Sequence, residues 1–206
     1  MFHYTAEQLN KKQQYKFVSG SVIPRPIAWV TTLSKDGSVV NAAPFSFFSA
    51  ASNELPLLTV AILRKDGISK DTARNILDRK EAVVHIVDQS VVEDMNQTSA
   101  SLSPDESELD HTSLTLIDSL SVQVPSIVEA KIRFEGVLHQ YVPIKDEHDN
   151  IVTDFFFIRV TDFFFDETVF DQEKEYILTD KLNPVARLAG NQYATLDKEF
   201  TIVRPT

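Results

Sequence analysis

The stretch from Arg64 to Lys80, RKDGISKDTARNILDRK, gathers residue types that hold an anion. Asp71, after Lys70 and before Thr72, suits a helix N-cap, and TARNIL continues the helix. A helix start presents unpaired backbone N–H groups and the positive end of the dipole, so a phosphate is well placed there. Arg64, Lys65 and Lys70 lie within a few residues of that start, and Thr72 adds a hydroxyl. Six basic residues against three acidic ones give the stretch a local charge of +3 in a chain of net charge −10. The competing reading is a solvated helix face.

A second constellation follows the turn Lys35–Gly37, which apolar and β-branched residues flank as in a β-hairpin. The second arm does not run on as an apolar strand. It passes Asn41, Ala42, Ala43 and Pro44, and sets Ser46 between aromatic residues. Alanines let a flat ligand approach the backbone, while Asn41, Ser46 and Ser49 offer polar groups around its rim. Pro44 interrupts a hydrogen-bond ladder, which places this arm at an edge or a bulge. The competing reading is an irregular edge strand with capped polar groups.

Other reactive residue types carry less. Ser46 has no evident histidine and acid partners for nucleophilic hydrolysis. His139 and His148 are nine apart with no recognised metal spacing, so no metal is assigned. His85 in AVVHIV reads as a hydrogen-bonded core histidine, and Trp29 and the FFF clusters as core or interface residues. Asp162 and Asp166 read as solvated carboxylates. No catalytic acid or base stands out.

These residues need a sizeable fold to position them, and 206 residues suffice for one domain spanning 1–206. A hydrophobic fraction of 43% and a charged fraction of 24% are ordinary for a globular protein. Zero cysteines exclude disulfides, thiolate metal sites and thiol catalysis. No apolar run approaches a membrane span, and the start MFHYTAEQLNKKQQYKF lacks the apolar core of a secretory signal, so a cytoplasmic location is expected. The net charge of −10 speaks against nucleic acid or an anionic membrane as partner.

Strands outnumber helices along the chain. They are expected at Ile27–Leu33, Val39–Phe48, Pro56–Leu63, Glu81–Val87, Ser126–Pro143 and Ile151–Phe165. Helices are expected at Asp71–Lys80 and in VVEDMNQTS, with a surface excursion from Ser99 to Ser113. LNPVARLAGNQYATL suggests a turn at Gly190 rather than a long helix. The pattern is a β-barrel with attached helices.

Five ordered segments, YKFVSGSVIPRPIAWVTT, NAAPFSFFSAAS, RKDGISKDTARNI, EDMNQTSA and LNPVARLAGNQYA, carry a resemblance through nearly the whole chain. It resembles the flavin reductase-like family of FMN-binding split barrels, with a nearer likeness to the nitrilotriacetate monooxygenase component B type and to flavoredoxin. The resemblance implies a mainly β fold, a six-stranded antiparallel Greek-key split barrel with short helices, dimeric, with FMN near the subunit interface. It implies that Thr31, Thr32, Asn41, Ala43, Pro44, Ser46, Phe47 and Phe48 line the isoalloxazine and ribityl chain. Arg64, Lys65, Lys70 and Thr72 would hold the phosphate, Asp71 would order the loop, and Arg187 and Tyr193 would close or support the site. The implied activity is NADH- or NADPH-dependent flavin reduction, with a homodimer and a flavin-dependent monooxygenase as partners. The alternative is an FMN electron carrier reduced by a partner protein. The absence of a GxGxxG fingerprint discriminates weakly, because a split-barrel reductase stacks nicotinamide on flavin without a Rossmann domain.

Overall fold

The turn at Lys35–Gly37 closes a hairpin because Gly37 adopts φ +82° and the Asp36 carboxylate accepts hydrogen bonds from Ser34 Oγ, Ser38 Oγ and Ser38 N. The arms it joins are strands β1, Ala28–Leu33, and β2, Val40–Phe45. The structure is a computed structural model and describes residues 1–205. The further strands are β3 (Phe48–Ala50), β4 (Leu57–Leu63), β5 (Glu81–Ile86), β6 (Leu116–Ile117), β7 (Ser126–Ile127), β8 (Ile132–Lys145) and β9 (Ile151–Phe165). β10 (Phe170–Asp171), β11 (Tyr176–Ile177), β12 (Val185–Arg187) and β13 (Tyr193–Thr195) complete them. The helices are α1 (Lys11–Ser21), α2 (Asp71–Arg79), α3 (Val92–Gln97) and α4 (Thr179–Leu182).

Seven strands form one antiparallel sheet in the order β2-β1-β5-β8-β9-β4-β3. β2 and β3 stand at opposite ends of that order, yet only Ser46 and Phe47 join them. Three steps of extended chain span at most about 11 Å, so the two edges must meet and the sheet must curl on itself. The seam of this half-barrel is the stretch Pro44–Phe48. The resemblance implies six strands; the structure has seven, because the arm read as Val39–Phe48 divides into β2 and β3. β1 pairing ends at Ala28↔Phe45, where Pro26 can offer no N–H to extend the ladder. The chain then crosses to β4, with Ala61 N–H donating to Phe47 O at 2.9 Å.

Alternation along the strands sends apolar residues to both faces of the sheet, and two of the four resulting clusters frame β1. Val30, Phe45, Val60, Ile62, Val84, Phe156 and Ile158 fill the inside of the curl, and α2 adds Ala73 and Ile76. Burying each such large side chain contributes roughly 1.5–3 kcal/mol. On the outer face of β1, Trp29 is fully buried with Met95, Val91 and Ile27, and its indole N–H donates to Thr98 Oγ1 at 2.9 Å. The sequence reading of Trp29 as core holds.

The long β8–β9 hairpin bends through register shifts at Glu135/Gly136, Leu138/Gln140 and Ile144/Lys145. Gly136 permits the closest approach: a Cβ there would lie 2.6 Å from Ile158 Cγ2. His85, fully buried on β5, has Nδ1 2.9 Å from Trp29 O, and its Nε2 accepts from Ile127 N–H at 2.9 Å. Burial pushes its pKa down to about 4, so it is neutral near pH 7, as expected for a core histidine. The tail forms a hairpin, β12 with β13, around Gly190 at φ +58°. Among the described residues no helix is long and apolar enough to cross a membrane.

Candidate functional site

The helix expected over Asp71–Lys80 is α2, but its cap is displaced by one residue. Lys70 occupies the N-cap position with extended backbone, and no side chain caps the helix. A lysine ammonium cannot accept a hydrogen bond, so the backbone N–H groups of the first turn keep their donor capacity. Asp71 becomes the first helical residue, where its carboxylate pairs with Arg74, which also donates to Ser69 O. Lys65 and Lys70 make no ion pair among the described residues. Lys70 instead lies over the Phe45 ring, 5.5 Å from its centroid.

A cleft of about 450 Å³ opens at this helix start, lined by Asn41, Ala43, Pro44, Lys65, Lys70 and Thr72, among others. A second cleft of about 750 Å³ adjoins it and shares Pro44, Lys70 and Ser99. Tyr15, Arg25, Ser46, Asn96, Arg187 and Tyr193 are among its walls. Together they form one path from the start of α2, past the seam of the barrel, to the β12–β13 hairpin. Its polar and apolar surfaces suit a ligand with an anionic end and a flat ring.

Most of the residues singled out in the sequence line this path, and several do not. Thr31 is buried with its hydroxyl donating to Pro125 O at 2.8 Å, and it lines neither cleft. Strand alternation sends it to the opposite face from Thr32. Thr32 itself is buried behind Asn41, taking a bond from Asn75 Nδ2 at 3.1 Å. Phe48 packs against the barrel core. Phe47 lies 6.3 Å from Tyr15 and 5.9 Å from the Arg25 guanidinium, measured to its ring centroid.

Arg64 lines neither cleft. Its guanidinium makes a fork with Asp154, Nε to Oδ2 at 2.9 Å and a terminal nitrogen to Oδ1 at 2.8 Å. Ser69 Oγ and Tyr141 OH donate to the same buried carboxylate, at 3.0 and 2.7 Å. Burial pushes the Asp154 carboxyl up, but the hydrogen bonds from Arg64, Tyr141 and Ser69 prevail and hold it below its ordinary value. Arg64 therefore ties the 65–69 loop to β9, and Asp154 balances its charge. Thr72 is similarly engaged: its hydroxyl donates to Asn41 Oδ1 at 2.7 Å.

The excursion Ser99–Ser113 is not merely superficial. Residues 99–102 wall the smaller cleft, and Glu108 anchors the segment. Its carboxylate accepts from Asn41 Nδ2 at 2.7 and 2.8 Å and from Ala42 N at 3.1 Å. Burial pushes the Glu108 carboxyl up against these bonds. Asn41 is thus a buried hub holding Thr72, Thr32 and Glu108. Nothing in SPDESELD marks Glu108 in advance. Arg25 was also missed; its one signal is its place between two prolines in IPRP.

The flavin reductase like domain model matches residues 19–182. The chain is 50% identical over 206 residues, covering both chains fully, to the uncharacterised Bacillus subtilis protein YwrF. It is similar to nitrilotriacetate monooxygenase component B from Bacillus cereus, with a TM-score of 0.94, 39% identity and 98% of each chain covered. A candidate flavin reductase with a split barrel domain from Shewanella frigidimarina superposes with a TM-score of 0.80 at 21% identity, covering both chains fully. That likeness shows the fold: the curled seven-stranded sheet is a split barrel.

Proposed function

This chain belongs to the flavin reductase-like family, and on that premise we propose that it binds FMN and reduces it with NADH or NADPH. The observation that carries the reading is the uncapped start of α2. Backbone N–H groups, Lys65 and Lys70 converge there without a carboxylate that claims either lysine. The phosphate would sit at Lys65–Thr72, and the ring would extend past Ala43, Pro44 and Ser46 into the larger cleft toward Arg187 and Tyr193. FMN held by Lys65, Lys70 and the start of α2 would supply the redox chemistry of hydride acceptance. The chain's own residues fix the phosphate, shape the floor under the ring and leave space beside it. No side-chain acid or base is required of them. The likeness to a monooxygenase component B supports a flavin-dependent monooxygenase as recipient of reduced flavin. A partner-reduced FMN carrier is the alternative.

Charge-assisted hydrogen bonds to a dianion account for much of such an affinity. Replacing Lys65 and Lys70 together with Ala should weaken FMN binding at least ~10-fold, equivalent to ~1.4 kcal/mol. Riboflavin, which lacks the phosphate, should lose little. Equal losses for both ligands in equilibrium titrations would overturn this placement.

A homodimer belongs to the same proposal. Phe163 on β9 is 52% exposed beside half-buried Phe164 and Phe165, an aromatic patch that a symmetric partner would cover on both subunits. Light scattering at micromolar concentration should return twice the chain mass of 23.3 kDa. A single-chain mass independent of concentration would exclude the dimer.

A further inference from the structure

A buried carboxylate stands where an anion site would least be expected to keep one. Glu108 is 7% exposed, lines the smaller cleft and forms no ion pair among the described residues. Lys65 and Lys70 line the same cleft, so a phosphate held there meets Glu108 as a like charge. A buried charge without a cation is costly to keep, and phosphate binding by itself gives this one no task.

Its contacts give it one. Asn41 Nδ2 donates to Oε1 at 2.7 Å and to Oε2 at 2.8 Å, and Ala42 N–H donates to Oε2 at 3.1 Å. An ionised carboxylate only accepts, so it turns the Asn41 amide: the NH2 faces Glu108 and Oδ1 faces away. Oδ1 then accepts from Thr72 Oγ1 at 2.7 Å and from Thr32 Oγ1 at 3.3 Å, while Thr32 Oγ1 accepts from Asn75 Nδ2 at 3.1 Å. Thr72 and Asn75 both belong to α2, so one carboxylate sets the direction of a hydrogen-bond chain that reaches the first two turns of the helix. The first bond of that helix is Arg74 N–H to Lys70 O at 3.0 Å, so the N–H groups of Asp71, Thr72 and Ala73 have no partner within it.

Glu108 also ends a strap. Ser99, Ser101, Leu102 and Pro104 line the smaller cleft, and of residues 99–106 Leu102 alone is half-buried, the rest being exposed. Among the described residues, 99–106 make hydrogen bonds only to one another or to α3. The strap is held to the barrel at its two ends. At one, Thr98 takes the Trp29 indole N–H; at the other, Ser107 makes one bond to Val40 O at 2.6 Å and Glu108 accepts three from β2.

We propose that Glu108 is a positioning residue for the flavin phosphate: it latches the 99–106 strap beside the start of α2 and, through Asn41, fixes the helical turn that receives the dianion. The inference rests on the reading that the phosphate binds at Lys65–Thr72. Flavin affinity then depends on a carboxylate whose own charge opposes the ligand.

Glu108→Gln separates charge from positioning by the sign of its effect. If Glu108 acted on the phosphate by charge alone, the neutral variant would bind FMN more tightly. As a latch it predicts the reverse: FMN affinity falls at least ~10-fold, comparable to the loss of one hydrogen bond to a charged group, while riboflavin changes less than ~3-fold. Thr72→Val removes the far end of the same chain, so the double variant should lose less than the two single losses combined. Tighter or unchanged FMN binding in Glu108→Gln, equal losses for FMN and riboflavin, or fully additive losses in the double variant would overturn the latch. Should the glutamine variant not fold, amide exchange on the unaltered protein decides. FMN should slow exchange across 99–107 at least ~10-fold and riboflavin should not. Equal slowing by both ligands, or by neither, would overturn the latch. The variant with Lys65 and Lys70 both replaced by Ala, titrated alongside, judges the flavin placement separately. A phosphate-specific loss there without one in Glu108→Gln rejects the latch alone. No phosphate-specific loss in the lysine variant rejects the placement, and the latch with it.

Discussion

With FMN in excess, the protein is expected to oxidise NADH or NADPH at least ~100-fold faster than the same mixture without protein, over many turnovers and with no second protein. The factor is modest against what holding two reactants together can supply. Proximity and orientation are worth roughly 7–11 kcal/mol, and ~100-fold uses under 3 kcal/mol of that. The geometry favours it because the path proposed for the flavin is wide at its far end, where about 750 Å³ adjoin the seam of the barrel. Nicotinamide needs only to lie beside the ring, so the reaction asks for no side-chain acid in the larger cleft, which no Asp or Glu lines among the described residues. The measurement is loss of absorbance at 340 nm with each nucleotide. If bound flavin is bleached by dithionite but stays oxidised with both nucleotides, the carrier reading takes its place.

Asp154→Ala is expected to destabilise the fold by about 3 kcal/mol or more. Asp154 is fully buried and accepts four hydrogen bonds from three side chains. Removing it strands Arg64, whose side chain is only 18% exposed, and breaking one partner of a buried pair typically costs about 3–5 kcal/mol. For a chain of this size each kcal/mol shifts the midpoint by roughly 2–4 °C, so thermal unfolding should fall by about 10 °C. FMN affinity should fall too, because Arg64 and Ser69 are the two ends by which the 65–69 loop is held to β9. Asp154→Asn keeps the shape and should lose less on both counts. A midpoint within ~2 °C of the unaltered protein for the alanine variant would show that the loop stands without this tie.

Much of the fold was legible in the residues. The hairpin at Lys35–Gly37, the strands of Leu57–Leu63, Glu81–Ile86 and Ile151–Phe165, and the helix after Lys70 all declare themselves through spacing of two, spacing near 3.6, or a turn residue. So did the edge position of β2, because Pro44 cannot donate to a ladder on both sides. The division of Val39–Phe48 into two strands was not legible. It depends on where β1 runs out of donors and where β4 passes, and neither is written in that arm.

The sequence by itself determined the residue types, their local conformations and the family, through five motifs in order. What only the tertiary structure decided is which side chains are free to act. Arg64 and Lys65 are neighbours of like charge, yet Asp154, ninety positions away on β9, claims one and leaves the other. Thr72 reads as a phosphate donor until its hydroxyl is seen to donate to Asn41 Oδ1, and Asn41 reads as a ligand contact until its amide N–H is seen to donate to Glu108. Arg25 and Arg187, far apart in the chain, are set side by side only by the bridge between the segment before β1 and β12. The physical reason is one of range. Turns, caps and strand alternation are settled by contacts a few residues apart. The partner of a long polar side chain is settled by the register and curl of strands that are remote along the chain.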